Sequence, residues 1–190
     1  MQLFEYLNTN FNQHFESNES IGIPVYQSTF SRHDIITDFG EVEQKVYFLQ
    51  RGLVQSIIKD SKQKPKIIDF IFKNIFFCAY TSFLSQQPSI VQIKAIEDCK
   101  VQYIHYKDLE EKYRSSLFHN QLGRTLTAHF FIRKAEREIA FLTLSAKERY
   151  LDLLEKDQQI LQKIPIKHIA QYLGIHPESL SRIRREISNS

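Results

Sequence analysis

The sequence has no tryptophan, and among its 190 residues there are only two cysteines, five glycines and five prolines. The two cysteines, Cys78 and Cys99, lack the spacing of metal ligands or of a redox pair. An iron–sulfur cluster would need about four cysteine ligands, so this cofactor is excluded. We expect two free thiols rather than a disulfide, and isolated thiols predict a reducing compartment, most simply the cytoplasm.

Long apolar segments and targeting signals are also missing. No apolar run reaches the roughly 18 residues of a membrane-spanning helix, so the sequence predicts no membrane partner. The N-terminal stretch MQLFEYLNTNFNQHF has neither a basic segment nor an apolar run, and we expect no signal peptide. Hydrophobic residues make up 42% of the chain, which is enough to build a core.

The net charge of +3 is unevenly distributed along the chain. Residues 1–113 contain 12 basic and 14 acidic residues, whereas residues 114–190 contain 13 basic and 8 acidic ones. A basic C-terminal part fits a polyanionic partner, although solvated helices produce the same pattern.

The first two segments of the chain differ in their pattern of apolar and polar residues. Residues 1–20 are polar with apolar side chains at helical spacing, which predicts a short amphipathic helix. From Pro24 to Tyr106, short runs rich in Val, Ile, Phe and Tyr alternate with turn-like pieces, which predicts a β-sandwich or barrel. The piece DSKQKP between two apolar runs indicates a hairpin tip. The apolar residues of the first zone are Leu3, Phe4, Leu7, Phe11 and Phe15.

Helix-forming residues dominate from Lys107 onward, and one long helix is predicted from Arg114 to Phe141. Its apolar residues recur on one face. This stripe is either a face that packs on the β domain or a dimer seam, and we favour the seam because so long a helix outruns a small domain. The stripe consists of Ala128, Phe131, Ile132, Ala135, Ile139 and Leu142.

Three shorter helices follow in the sequence. Ser145 to Glu148 has the S-x-x-E form of a capping box and predicts a helix to about Lys156. Pro165 fits the first turn of a second helix that ends before Gly174. A third helix is predicted from near Pro177 to Ile187.

The last two helices form a helix-turn-helix candidate. Ala170 is small where the helices would cross, and Gly174 follows four residues later where the chain must turn. The alternative is an ordinary helical hairpin with a solvated basic face. The residues predicted to form its buried centre are Ile166, Ile169, Leu173, Leu180 and Ile183.

The outward face of the last helix has the side chains that read DNA. Arginines donate to guanine and phosphate, and the Glu178 carboxylate can accept from cytosine N4. His168, on the preceding helix, could meet the phosphate backbone. The candidate DNA-binding residues are Lys167, His176, Glu178, Ser179, Ser181, Arg182 and Arg185.

The order of a β-strand zone, a long helix and a terminal LGIHPESLSRIRR resembles the Crp/Fnr superfamily of bacterial transcription regulators. The stretches FLSQQPS, LSAKERYLDLLE and YLGIHPESLSRIRR are similar to variants common in Bacteroidetes-type bacteria. The resemblance implies an α+β fold with a cyclic-nucleotide-binding-like jelly roll, or double-stranded β-helix, in residues 1–113. It further implies a dimerisation helix in 114–142 and a winged helix-turn-helix DNA-binding domain in 143–190.

On the family pattern, Glu178 and Arg182 occupy the two base-reading positions. Pro177 stands where the family often has another arginine, so base preference there must differ. His176 occupies the position that caps the recognition helix, where Thr or Ser would satisfy the free amides better. Few residues follow the recognition helix in this sequence, so we expect the wing that often follows it to be missing.

Members of the family that bind cyclic AMP present a glutamate to the ribose and an arginine to the cyclic phosphate. Here no arginine occurs between Arg51 and Arg114, and no glutamate between Glu43 and Glu97. A buried phosphodiester needs a guanidinium or a row of amide donors. The sequence therefore predicts no cyclic-nucleotide binding in the usual mode.

The corresponding segment, NIFFCAYTSFLSQQPS, is apolar and aromatic, with Ala79 or Tyr80 near the glutamate position and Ser89 near the arginine position. Its aromatic residues could line a small cavity for an unidentified effector, or they could fill the core. No cofactor or metal is predicted, since no spacing supports a haem ligand such as His105 or His129. The candidate pocket residues are Phe76, Phe77, Tyr80, Thr81, Ser82, Phe83 and Ser89.

The sequence thus favours a homodimeric, sequence-specific regulator that binds pseudo-palindromic double-stranded DNA, with RNA polymerase as a candidate further partner. The first alternative is a protein-interaction module on the same fold that has lost DNA binding. The second is a jelly-roll enzyme, whose metal site would need clustered histidines. Only His33 and His105 occur in the β zone, without an H-x-H motif, so we predict no catalytic residues.

Overall fold

The computed structural model describes residues 1–156 and 160–188. The chain divides into two compact units, Met1–Leu117 and Phe118–Ser190. The first contains all the strands of the described chain, and the second is helical throughout its described part.

Eight strands of the first unit form two antiparallel four-stranded sheets, as predicted for a jelly roll. The strand order is β1-β8-β3-β6 in one sheet and β2-β7-β4-β5 in the other. The strands are β1 (Tyr26–Phe30), β2 (Ile35–Thr37), β3 (Lys45–Arg51), β4 (Val54–Lys59), β5 (Pro65–Ile71), β6 (Phe76–Phe77), β7 (Gln92–Ala95) and β8 (Cys99–His105).

The predicted hairpin tip at DSKQKP joins β4 to β5, which are paired from Val54 opposite Ile71 to Lys59 opposite Pro65. The Asp60 carboxylate accepts hydrogen bonds of 2.9 Å from the backbone amides of Lys62 and Lys64. A short acid that binds amides of its own turn stabilises a chain reversal, which explains why this segment ends the strand.

The core of the first unit lies between its two sheets and is built from both. Short β-branched and aromatic residues on the strands supply it, as their alternating pattern indicates. Its buried members are Tyr47, Leu49, Val54, Ile71, Phe77, Ala79, Ile93, Ala95, Cys99 and Val101.

The N-terminal helix α1 (Leu3–Phe11) is shorter than the predicted zone, since Asn12 adopts a left-handed conformation and Phe15 lies outside the helix. Gln102 of β8 is fully buried and attaches this helix to the sheet. Its Oε1 accepts from the Leu3 amide at 2.7 Å, and its Nε2 donates to Gln2 Oε1 at 2.8 Å.

The predicted long helix is present, but it begins after Ser116 and not near Arg114. A separate helix α3 (Tyr106–Ser115) follows β8 directly, and Arg114 lies in its last turn. Ser116 is extended, with φ −142° and ψ 114°, so it interrupts the helical path. The long helix α4 therefore spans Leu117–Thr143.

The helix α2 (Tyr80–Ser85) also belongs to the first unit and lies between β6 and β7.

In its described part, the second unit continues from α4 into four further helices. The predicted capping box is confirmed, since the Ser145 amide donates to Glu148 Oε2 at 2.7 Å and the Glu148 amide to Ser145 Oγ at 3.3 Å. The helices are α5 (Ala146–Lys156), α6 (Ile160–Lys163), α7 (Ile166–Leu173) and α8 (Pro177–Ser188).

The short helix α6 was not predicted from the sequence. No strand follows α8 in the part of the chain that is described, which ends at Ser188, so a wing is not seen there. In the two described ranges, no helix has the length and apolar character needed to cross a membrane.

Candidate functional site

The turn between α7 and α8 has the geometry of a tight helix-turn-helix. Gly174 has φ +71°, a left-handed conformation that a side chain disfavours. Its amide donates to Gln171 O at 3.1 Å, and the Ile175 amide donates to Ala170 O at 3.0 Å. These two bonds form a Schellman motif, which satisfies the carbonyls of Ala170 and Gln171 in the last turn of α7 and reverses the chain.

The buried centre of the second unit agrees with the prediction except at Ile166, whose exposed fraction is 36%. Ile166 is the first residue of α7, and at this position its side chain is exposed to solvent. The sequence interpretation also missed the contribution of α5, α6 and the residue after α6. The described buried hydrophobic residues from α5 to α8 are Tyr150, Leu153, Ile160, Ile164, Ile169, Ala170, Leu173, Leu180 and Ile183.

The opposite face of α8 is open to solvent. Glu178 stands in its first turn, and Arg182, one turn later, is exposed on the same side. Arg185 is exposed as well, while Ser179 is half-buried. Ser181 is exposed and its Oγ donates to Pro177 O at 3.0 Å, which leaves the hydroxyl engaged within its own helix.

The candidate phosphate-contacting residues lie at the beginnings of the two helices. Lys167 and His176 are exposed, and His168 is half-buried. Burial, followed by the charge of Lys167, lowers the pKa of His168 below its ordinary value. His168 is therefore less able than Lys167 to offer a positive charge to a phosphate at neutral pH.

The apolar stripe of α4 is largely uncovered in the single chain. Phe131 is 70% exposed, Ile132 50% and Ile139 58%, while Ala128 is also exposed and Ala135 half-buried. Apolar side chains at this spacing form a continuous strip along one helix face. The strip is therefore an exposed apolar surface of the chain.

The aromatic residues of the candidate effector pocket are packed against other rings. The Phe77 ring stacks on Tyr47 with centroids 5.1 Å apart, and the Phe83 ring meets Tyr106 edge-on at 5.2 Å. Phe76 likewise contacts Phe48 at 5.2 Å. Tyr80, the first residue of α2, is half-buried.

A buried carboxylate lies beside this aromatic group. Glu43 is 3% exposed, and its Oε2 accepts from Thr37 Oγ1 at 2.7 Å and from the Ala79 amide at 3.2 Å. Its Oε1 accepts from the Lys45 amide at 3.1 Å. No sequence motif marks Glu43, because the Ala79 amide comes from a segment far along the chain that only the fold brings to it.

The hydroxyl-bearing residues among the candidate pocket residues, Thr81, Ser82 and Ser89, differ in burial. Ser82 is buried, and its Oγ accepts from the Glu43 amide at 3.0 Å and donates to Gln87 O. Ser89 is also buried, with its Oγ donating to Val91 O at 2.7 Å. Thr81 is exposed and lies outside the buried group, so the structure does not bring it together with the others.

Burial raises the pKa of the Glu43 carboxyl above its ordinary value of 4.5, although hydrogen bonds from Thr37 and Ala79 oppose this effect. Burial and then the charge of Glu43 raise the pKa of Tyr47. Ionising a side chain in this region is therefore unfavourable, and the region already contains one acid, Glu43. In the described ranges, no group of three or more His, Cys, Asp or Glu residues could hold a metal ion.

The chain is similar to known bacterial regulators in sequence. Residues 27–116 match the cyclic nucleotide-binding domain family. Over 167 residues the chain is 24% identical to the cAMP-activated global transcriptional regulator CRP of Pasteurella multocida, which covers 79% of this chain and 77% of that protein.

The similarity extends to solved structures. FixK2 from Bradyrhizobium japonicum superimposes with a TM-score of 0.72 at 22% identity, over 88% of this chain and 86% of its own. A protein from Eubacterium rectale assigned to the crp/fnr family of transcriptional regulators gives a TM-score of 0.71 at 17% identity, over 97% and 88%. The chain therefore has the fold of the Crp/Fnr regulators, and the predicted resemblance is confirmed.

Replacing the buried acid by an amide should change how stability depends on pH. A carboxyl whose folded pKa is raised contributes stability below the unfolded pKa and loses it as pH rises through the folded pKa. The free energy of unfolding of Glu43→Gln should therefore increase relative to that of the parent protein as pH rises above 4.5. Urea titrations across this range measure the difference.

Glu41→Gln, which removes an exposed carboxyl two residues away, is the matched control. The opposite trend, with the parent gaining on Glu43→Gln as pH rises, would show that the ionised carboxylate is the form that the fold stabilises.

Proposed function

We propose that the protein is a homodimeric transcriptional regulator that binds a specific, pseudo-palindromic DNA site through α8. The observation that supports this most directly is the exposed face of α8, where Glu178, Arg182 and Arg185 stand on a buried helix-turn-helix core. An arginine pairs with guanine O6 and N7, and a carboxylate accepts from cytosine N4. The similar Pasteurella and Eubacterium proteins are transcriptional regulators, which agrees with this proposal.

The uncovered stripe of α4 supports the proposed dimerisation. A water-exposed strip containing Phe131, Ile132 and Ile139 is unfavourable in a monomer, and two copies related by a two-fold axis would cover it with identical residues. Two recognition helices could then enter successive major grooves roughly 34 Å apart.

Cyclic nucleotides are not the proposed effector, although residues 27–116 match a cyclic nucleotide-binding domain. The Ala79 amide is already bound to the Glu43 carboxylate, and the hydroxyls of Ser82 and Ser89 are bound to backbone carbonyls. A cyclic phosphate would have to displace these bonds without an arginine to receive it. Packed rings around Phe77 favour a filled core over a cavity.

The DNA-binding proposal is tested by selecting sites from random duplexes and then changing Arg182. We expect an enriched palindrome, and Arg182→Ala should weaken specific binding by about 1–3 kcal/mol and relax one base position. Fluorescence anisotropy on the selected and scrambled duplexes measures both effects.

Lys147→Ala removes an exposed positive charge from α5 and serves as the control for net charge. If random duplexes yield no enriched site, the DNA-binding proposal fails and the interaction-module alternative takes its place. If Arg182→Ala binds both duplexes as the parent does, Arg182 does not read a base.

The dimer seam is tested by placing a charge in the α4 stripe. Ile132→Glu should raise the dimer dissociation constant at least about tenfold, because two carboxylates would be buried against each other. Lys134→Glu introduces the same carboxylate at an exposed polar position of α4. Sedimentation equilibrium gives both constants, and equal values would place the seam elsewhere.

The effector proposal is tested by calorimetric titration of the full chain with cyclic AMP and cyclic GMP. No heat of binding is expected at micromolar nucleotide, because the buried donors are occupied and the segment between Arg51 and Arg114 has no arginine. A saturable titration in that range would contradict the proposal.

A further inference from the structure

The C-terminal end of α4 is connected to the turn of the helix-turn-helix through the ring of Phe141. The Arg137 guanidinium carbon lies 5.2 Å from the centroid of this ring, and that of Arg149, on α5, lies 4.7 Å from it. Both distances are within the range of cation–π attraction. One aromatic ring near the end of α4 thus contacts two guanidinium groups.

Each of the two arginines also reaches the C-terminal end of α7. The Arg137 guanidinium lies 4.0 Å from the Tyr172 ring centroid, and its Nη2 donates to Tyr172 O at 3.3 Å. Arg149 Nη2 donates to Leu173 O at 3.0 Å, while its Nη1 donates to Leu144 O. The last carbonyls of a helix lack partners within the helix and attract cations, so both guanidinium groups are well placed there.

The turn itself touches the same ring. A Cβ added at Gly174 would lie 2.8 Å from Phe141 Cε1 and 3.2 Å from Cζ. Gly174 therefore has two reasons to be glycine, its left-handed φ of +71° and the close approach of Phe141. The sequence pattern explains the first reason only.

We propose that Arg137, Phe141 and Arg149 form a clip that fixes α7 and α8 relative to α4 and thereby sets the half-site spacing that the dimer reads. This inference rests on the proposed DNA-binding dimer. The α4 helix carries the seam, so the position of α8 relative to α4 determines how far apart the two recognition helices lie. A rigid connection gives one preferred spacing, and a loose one gives a broad preference.

The clip predicts a change in spacing preference rather than in base reading. Duplexes are built from the selected palindrome with its half-sites moved together or apart by single base pairs, and a further duplex carries one half-site. Phe141→Ala should lose about tenfold in affinity for the optimal spacing, but less than about twofold for the single half-site. The preferred spacing should become nearly indistinguishable from its neighbours.

Two milder variants guard against simple unfolding. Phe141→Leu keeps an apolar side chain without the ring, and Arg137→Lys keeps the charge without the planar group that covers Tyr172. Both should flatten the spacing profile in the same direction as Phe141→Ala. Lys134→Ala, which removes an exposed charge from α4, should leave the profile unchanged.

Three binding results would overturn the clip. The first is an unchanged, sharp spacing preference in the Phe141 variants. The second is a uniform loss on every duplex, including the single half-site, which would indicate damage to the helix-turn-helix itself. The third is a broad spacing preference in the parent protein. Failure of the parent to select any site would instead contradict the proposed function.

A measurement without DNA tests the clip independently of that function. Residual dipolar couplings of backbone amides in α4, α7 and α8 should fit one alignment tensor in the parent protein, because the clip makes them one body. Phe141→Ala should require separate tensors for α4 and for α7 with α8. One tensor in the variant, or two in the parent, would overturn the proposal.

Discussion

Two twisted sheets must bury their apolar faces against each other, and the rest of the first unit depends on this requirement. Side chains from both sheets fill the space between them, including the Phe77 ring stacked on Tyr47. Because the interior is closely packed, a polar ligand could enter only at the cost of these contacts. Glu43, a buried acid near this core, accepts hydrogen bonds from Thr37, Lys45 and Ala79.

Much of the architecture could be predicted from the sequence, because the relevant signals are local. Alternating Val, Ile and Phe residues indicate strands, the Asp60 turn indicates a hairpin, and Gly174 after a short apolar helix indicates the Schellman turn. The break at Ser116 was missed because helix-forming residues flank it on both sides. The burial of Gln102 was also missed, since its function is to bind the backbone of a helix far away in the sequence.

Some parts of the candidate site likewise have local sequence signals, and others do not. The reading face of α8 follows from helical spacing alone, because exposed and buried positions alternate with the helix period. The Glu43 network and the Arg137–Phe141–Arg149 cluster could not be predicted, because each joins residues from different elements through side-chain geometry. An arginine in a helical stretch looks like a solvated charge in the sequence. Only the fold shows that Arg149 donates to the last residue of α7.

For the proposed regulator, the packed interior of the β unit and the exposed stripe of α4 favour control of DNA binding by dimerisation over control by a ligand in the β unit. The donors beside Phe77 are bound within the chain, so a ligand there would have to replace these hydrogen bonds before its differential affinity could shift an equilibrium. The uncovered stripe of α4 provides another source, because a dimer that alone spans two half-sites forms by mass action. Occupancy of a palindromic site would then depend steeply on the amount of protein. With the proposed clip, a rigid connection between α4 and the turn at Gly174 would let the association that forms the seam position both recognition helices at once.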